Sequence, residues 1–463
     1  MLFSDPSFFA FFSVYLLLHF VVPPRFRLGL IIVGSTVFYA WWKWEYTWLP
    51  YLLIAIAYTG SRQICFEKNE TRRKAITAVT VALLFVPLVV FKYTNFIAVD
   101  VLGPLIGIHY KILDVSLPLG VSFITFTLTA FVVDIYRRTF PGVPGVSTAT
   151  AYVLFFPHLI AGPILRPKEL IPQLECPQPA RGINTTGIVI FTIGLVKKLV
   201  IADQIAGAVD RIYAVTSPTG PEALLAIYGF SAQIYCDFSG YTDMAIGLAL
   251  LIGVTLPNNF LRPYASTSII DFWRRWHITL SFWLRDYLYI PLGGNRLGRG
   301  RASINMIITM VLGGLWHGAS WTFVAWGFLH GLGIAVVHLY RDALRAGRML
   351  ALPIWLGVLL TFHFVALLWV FFRAPTLGKA ASMLRGIFGG HWSTTADYAS
   401  QNAKFLIVIV IFFLLHGFDD HRLMRWAARR VRAEVLWPVI IMLWVLAITV
   451  SHGSSERFIY FEF

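Results

Sequence analysis

Long apolar runs separated by short polar clusters dominate the chain. They fall at roughly 7–22, 28–42, 47–60, 75–97, 118–136, 184–207, 221–254, 303–316, 321–339, 353–372, 404–418 and 435–452, against the need for about 20 apolar residues per helix crossing a hydrocarbon core of about 30 Å. Strict alternation of apolar and polar positions is not seen. Helices are therefore left to satisfy the backbone in lipid. Several runs fall short of a full span and have to be shielded, re-entrant or met by local thinning of the bilayer. The pattern predicts an all-α, polytopic membrane protein with about 11–13 transmembrane helices plus re-entrant and amphipathic ones. No linker or repeat of fixed period divides it, so residues 1–463 read as one integral-membrane domain.

Three interruptions break the apolar pattern. Residues 98–117 contain Gly103-Pro104 and Gly107 and read as an outer loop. Residues 157–182 carry Pro157, Pro163, Pro167, Pro172, Pro177 and Pro179 and read as a half-helix followed by a cytoplasmic loop, because proline ends helices. Residues 255–302 are rich in arginine and aromatic side chains; a segment this long and polar in a membrane protein points to function.

Composition agrees with a lipid environment: 57% of residues are hydrophobic and 13% charged, where soluble proteins carry about 25% charged. The net charge of +15 raises the question of nucleic acid. The basic residues, however, cluster between apolar runs: Arg25 and Arg27, Arg62 to Lys74, Arg137 and Arg138, Arg262 to Arg301, Arg341 to Arg348, and Arg422 to Arg432. The positive-inside rule accounts for them without a polyanion and places both chain ends outside. Cys65, Cys176 and Cys236 form no CxxC pair and suggest neither a disulfide framework nor a zinc site. The first run lacks a basic n-region and a small-residue cleavage site, as expected of a retained helix.

The densest chemistry lies in Asp271-Phe-Trp-Arg-Arg-Trp-His277-Ile-Thr-Leu-Ser-Phe-Trp-Leu-Arg-Asp-Tyr287. On one continuous helix, Trp273, Trp276, Leu280, Trp283, Leu284 and Tyr287 share an apolar stripe. Arg274, Ser281 and Arg285 lie beside it, with His277 at the border. Such a helix can lie at the membrane interface with its arginines on phospholipid. It can also present an arginine face to the phosphates of an acyl donor, and geometry permits both.

His317, in Gly313-Gly-Leu-Trp316-His317-Gly318, follows an apolar run that starts near Ser303. Fourteen helical residues rise about 21 Å, which sets His317 deep in the bilayer at the tip of a hairpin returning through 321–339. A neutral imidazole there suits general-base removal of a hydroxyl proton; helix packing is the bland alternative. His158 and His330 are weaker candidates, His19, His338, His363 and His416 read as structural, and no HxxxH or HExxH pattern suggests a metal site. A second polar cluster, Gln233 to Asp243, holds Asp237, Ser239, Tyr241 and Asp243 within an apolar run. These side chains could orient a histidine or line a substrate passage, or an aspartate could pair with Arg274 or Arg285. No GxSxG elbow supports a triad through Ser239.

Taken with Ser116 to Phe123, Phe155 to Pro167, Asp237 to Ile246, Leu256 to Phe260, 271–331 and the closing Arg457 to Phe463, these motifs resemble the membrane-bound O-acyltransferase family, in particular its alginate O-acetylation branch. The resemblance implies a ring of helices around a central tunnel, with His317 the essential residue and His277 the second polar position. Trp316, Arg274, Arg285, Asp237, Ser239, Tyr241 and Asp243 are then candidates for donor or substrate binding. It also implies a bacterial inner-membrane enzyme with no bound cofactor and no metal. A cytoplasmic donor, acetyl-CoA or an acylated carrier, gives its acyl group, and an extracytoplasmic acetyltransferase partner completes transfer to an exopolysaccharide such as alginate. Competing readings are a transporter or flippase using intramembrane His and Asp, a teichoic-acid type D-alanyl transferase, and a structural scaffold for export, which would have no need of His317.

Overall fold

The computed structural model describes all residues except 108, 109, 111, 113–115, 177–183, 297, 390, 391, 394, 453, 454, 457 and 460–463. The described residues form helices and connecting turns without strands. Among the described residues, five helices are long and apolar enough to cross a membrane: Glu70–Tyr93, Thr185–Ala214, Trp321–Arg345, Ile354–Arg373 and Ala433–Ser451. Thr395–Gln401 and Ala403–His416, bent by 85° from each other, add a sixth if they act as one broken span. Other apolar runs form shorter helices. Pro6–Val21 and Val121–Tyr136, each of 16 residues, measure about 24 Å, short of a full core. Gly220–Leu251 is long enough at 32 residues, but positions 230–249 are buried in protein. That placement lets an apolar run carry Gln233, Asp237 and Asp243.

Two of the interruptions take a different form from the one expected. In place of an outer loop from 98, Phe96–Leu102 is a π-helix and Gly103–Ile106 an α-helical turn. Pro104 falls in the first turn, where its missing N–H costs nothing. In 157–182, Phe156–Leu159 forms one helical turn and Pro167–Glu175 a helix, whose start is fixed by the Glu169 carboxylate accepting from Arg166 N at 2.8 Å. Pro177 and Pro179 lie outside the described residues, as do all but Phe458 and Ile459 of the closing Arg457–Phe463 motif.

The chain forms two compact units, Met1–Phe191 with Thr242–Pro257, and Thr192–Tyr241 with Asn258–Phe463. In the first, Trp48–Phe66 packs on Glu70–Leu88 and Val121–Tyr136. Arg73 is buried there, donating to Ile64 O and Tyr136 O and pairing with Glu70 at 2.6 Å. A hub of Phe8, Phe38 and Phe156 joins neighbouring helices, with ring centroids 5.6–6.4 Å apart.

The second unit contains the hairpin expected around His317. Arg299–His317 runs up, Gly318 and Ala319 turn the chain, and Ser320 caps Trp321–Arg345 by accepting from Thr322 N. Glycine lets the two backbones touch. A Cβ on Gly314 would lie 2.2 Å from Phe323 O, and one on Gly327 would lie 2.3 Å from Met310 O. Gly327→Val is therefore expected to force the hairpin apart at a cost of about 1–3 kcal/mol. Thermal unfolding of the purified variant checks this, and an unchanged midpoint would contradict the close packing.

Candidate active site

His317 is the last residue of the Arg299–His317 helix and is 4% exposed. Aromatic rings enclose it: Trp316 at 4.9 Å, Trp326 at 5.2 Å and Phe372 at 5.3 Å between centroids. Gly318 has no room for a side chain, because a Cβ there would meet the Phe323 ring at 2.0 Å. Trp316 stands between the two motif histidines, its ring 6.2 Å from that of His277.

His277 does not sit within a continuous helix. The cassette breaks into Ile269–Trp273, Ile278–Leu284 and a π-helical turn Arg285–Tyr289, with His277 itself at φ +42°. Asn259, two residues after the proline of Leu256-Pro257, pays back this strained geometry. Its Oδ1 accepts from Thr279 N and Thr279 Oγ1 and meets His277 Nδ1 at 3.2 Å, while its backbone carbonyl accepts from Ile278 N. Thr279 N–H identifies that amide atom as the oxygen, so Nδ1 carries the imidazole proton and Nε2 the lone pair. Burial pushes the His277 pKa down to about 3, which keeps the ring neutral at neutral pH. Phe238 seals one side of it, edge-on at 4.7 Å.

Despite the break, Arg274 and Arg285 of the cassette are brought together. Arg274, Ser281 and Arg285 all line a cavity of about 700 Å³ whose mouth also carries Arg299 and Arg345. Arg285 leans on Asp286 at 2.6 Å, and Asp342 faces Arg299 at 3.3 Å. The cavity runs along the hairpin from Arg299 to Met310. His317 lies seven residues further on, about 10 Å along the helix. Neither His277 nor His317 lines the cavity, so it stops short of both histidines and does not converge on them. Aromatic packing closes the remaining gap. Trp273 lines the inner end of the cavity, donates to His330 Nδ1 at 3.3 Å, and packs edge-on against Trp326, the ring that covers His317.

The Gln233–Asp243 cluster is organised by a lysine. Lys198 pairs with Asp203 at 2.7 Å and Asp237 at 2.9 Å, all three side chains being 3–7% exposed, and donates to Glu456 O. Asp237 also accepts from Ile459 N, so its ion partner is Lys198 rather than Arg274 or Arg285. Ser239 Oγ is buried without a hydrogen-bond partner, and the Tyr241 ring stacks on Phe458 at 4.8 Å. Asp243 is buried six positions along the helix, within the first unit. A polar cavity of about 40 Å³ opens beside the cluster, lined by Lys198, Asp203, Asp210, Gln233, Asp237 and Arg373 among others. Arg373 ends the Ile354–Arg373 helix, and the preceding Phe372 packs on His317. Twenty helical residues, about 30 Å, thus separate this polar end from the basic Arg341–Arg348 end where the large cavity opens. Among the described residues, no group of three or more His, Cys, Asp or Glu side chains is placed to hold a metal ion.

Comparison with known proteins decides between the readings this geometry allows. The sequence model of the membrane-bound O-acyltransferase family matches residues 27–374, most of the chain and both histidine motifs. The chain belongs to the membrane-bound O-acyltransferase family. It is 38% identical to the probable alginate O-acetylase of Azotobacter vinelandii over 90% of this chain and 85% of that protein. It is 40% identical to the probable alginate O-acetylase of Pseudomonas aeruginosa over 85% and 76%. It is also 36% identical to the peptidoglycan O-acetyltransferase of Helicobacter pylori over 88% and 83%.

Membership makes this multi-pass membrane protein an O-acyltransferase rather than a transporter. Sequence reasoning singled out both histidines and the cassette arginines as candidates. It missed Asn259, although Leu256-Pro-Asn-Asn-Phe260 had stood out as a motif, and it passed over Lys198. The signal for Lys198 was the pair Lys197-Lys198 inside an apolar run, where ionisable side chains are costly unless paired.

Proposed function

We propose that this acyltransferase works in a bacterial inner membrane. It takes an acetyl group from a cytoplasmic donor, acetyl-CoA or an acylated carrier, and passes it to a hydroxyl approaching from the opposite face. An extracytoplasmic acetyltransferase partner then completes O-acetylation of an exopolysaccharide such as alginate. The observation that carries this reading is the placement of His317: it ends the helix whose other end walls the arginine-lined cavity, and it packs on Phe372 beside the polar cavity at the far end. Donor phosphates rest on Arg274 and Arg285, and the acyl end reaches past Trp273. His317 takes the proton of the attacking hydroxyl as its oxygen bonds to the thioester carbonyl carbon. The carbon–sulfur bond then breaks, and the leaving thiolate receives that proton from the imidazolium. His277, held neutral by burial and oriented by Asn259, steadies Trp316 and the reacting groups. The alginate and peptidoglycan O-acetylating activities of the relatives support the acceptor class.

The test is transfer from labelled acetyl-CoA by purified protein in vesicles, with wild type compared to His317→Ala. Label in an acceptor hydroxyl that depends on His317 supports the proposal; equal labelling by both proteins removes His317 from the chemistry. A separate expectation concerns the donor site. Arg274→Ala and Arg285→Ala should each raise the apparent KM for the donor about tenfold through loss of a charge-assisted contact, with kcat much less affected. An unchanged donor dependence with lowered thermal stability would assign these arginines to anchoring at the interface.

A further inference from the structure

The first unit holds a cavity of about 180 Å³ that the acyl-transfer reaction does not use. It lies where the Pro6–Val21 helix ends and Arg27–Ala40 begins, and His19, Arg25, Arg27, Gln173 and Glu175 supply its polar wall. Leu28, Ile31, Leu174, Ile252 and Val254 are among its apolar lining. His19 is 3% exposed, and both of its ring nitrogens are buried without a hydrogen-bond partner. Arg27 Nε is in the same condition. Three unsatisfied polar atoms on one cavity run against the rule that buried polar groups are paired. The side chains on this wall fix what a partner must offer. Arg25 and Arg27 call for an anionic acceptor. A neutral imidazole presents one donor and one acceptor, so the ligand also carries a hydroxyl or amine donor beside its anion. The apolar wall asks for a hydrocarbon portion.

We infer that this cavity binds the headgroup of a phospholipid. The phosphate sits on Arg25, Arg27 and one His19 nitrogen, a headgroup hydroxyl donates to the other nitrogen, and the acyl chains leave along Leu28 and Ile31. Its position agrees, since Arg25 and Arg27 directly follow the first apolar run, at the depth of lipid phosphates on the positive-inside face. The site is independent of the transferase reading, which stands or falls on its own experiments.

The test is native mass spectrometry of the full-length protein, delipidated in detergent and titrated with phosphatidylglycerol, phosphatidylcholine or inorganic phosphate. Wild type is expected to retain one phosphatidylglycerol with at least tenfold preference over phosphatidylcholine, whose headgroup has no donor. Inorganic phosphate at equal concentration should not displace it. His19→Phe, which keeps the ring packed on Tyr15, and Arg27→Gln should each weaken retention about tenfold. Arg25→Gln changes an exposed side chain and gives the same reading if a buried substitution fails to fold. Equal phosphatidylglycerol retention by wild type and the variants would overturn the inference. So would displacement of the lipid by free phosphate, which would make the site one for a small anion.

Discussion

Replacing His317 with alanine is expected to cut acyl transfer about 10²–10⁴-fold, the usual worth of a positioned general base, while the protein still accumulates as a folded, monodisperse species. The ring is enclosed by Trp316, Trp326 and Phe372, so its removal leaves a gap. The hairpin is held independently by backbone contact at Gly314 and Gly327. The measurement is acceptor acetylation per mole of folded protein, alongside the thermal midpoint. His317→Gln keeps much of the volume and hydrogen-bonding capacity without the base. It should lose activity as fully as alanine while unfolding closer to wild type. If the glutamine variant retained near-normal transfer, His317 would be a packing residue.

The second large effect belongs to Lys198. Its ammonium is shared by two carboxylates at 2.7 and 2.9 Å in a site where all three side chains are 3–7% exposed. Lys198→Ala strands both anions, and breaking a buried pair in this way costs about 3–5 kcal/mol. The expected result is a sharply lowered thermal midpoint and poor recovery from the membrane. The triple variant Lys198→Met, Asp203→Asn, Asp237→Asn should recover much of that loss, because replacing a buried ionic cluster as a whole is often near neutral. If Lys198→Ala were as stable as wild type, the cluster would not be holding the second unit together.

Much of the architecture was legible because lipid restricts the backbone to few solutions. Apolar runs bounded by basic clusters marked helices, and the short run from Ser303 to Trp316 followed by 321–339 marked a hairpin with His317 at its tip. Legibility failed where tertiary contacts overrode local pattern. The 271–287 cassette reads as one amphipathic helix, yet His277 turns left-handed because Asn259, 18 positions earlier, holds both Nδ1 and Thr279. No periodicity within the cassette records that contact. The arginine face survived the break because Arg274 and Arg285 end up on the same cavity from separate helical pieces. Asp237 carried the right warning, an acid in an apolar run, but its partner lay 39 positions away on another helix and not in the nearby arginine cassette. The wall of Trp273, Trp326 and His330 was hidden because single aromatic and histidine positions look alike whether they pack a core or close a passage.

That wall makes the path from donor cavity to base the central claim, and a structure with a bound donor tests it most directly. The measurement is cryo-electron microscopy of the protein in nanodiscs with an acetyl-CoA analogue whose thioester sulfur is replaced by methylene, so that it cannot transfer. The account predicts the analogue in the 700 Å³ cavity, its phosphates on Arg274 and Arg285, the Trp273 ring displaced, and the carbonyl carbon close enough to His317 for a hydroxyl between them to lie within about 3 Å of the imidazole. An analogue seated outside that cavity, or one whose acetyl end stops at an unmoved Trp273, would contradict it.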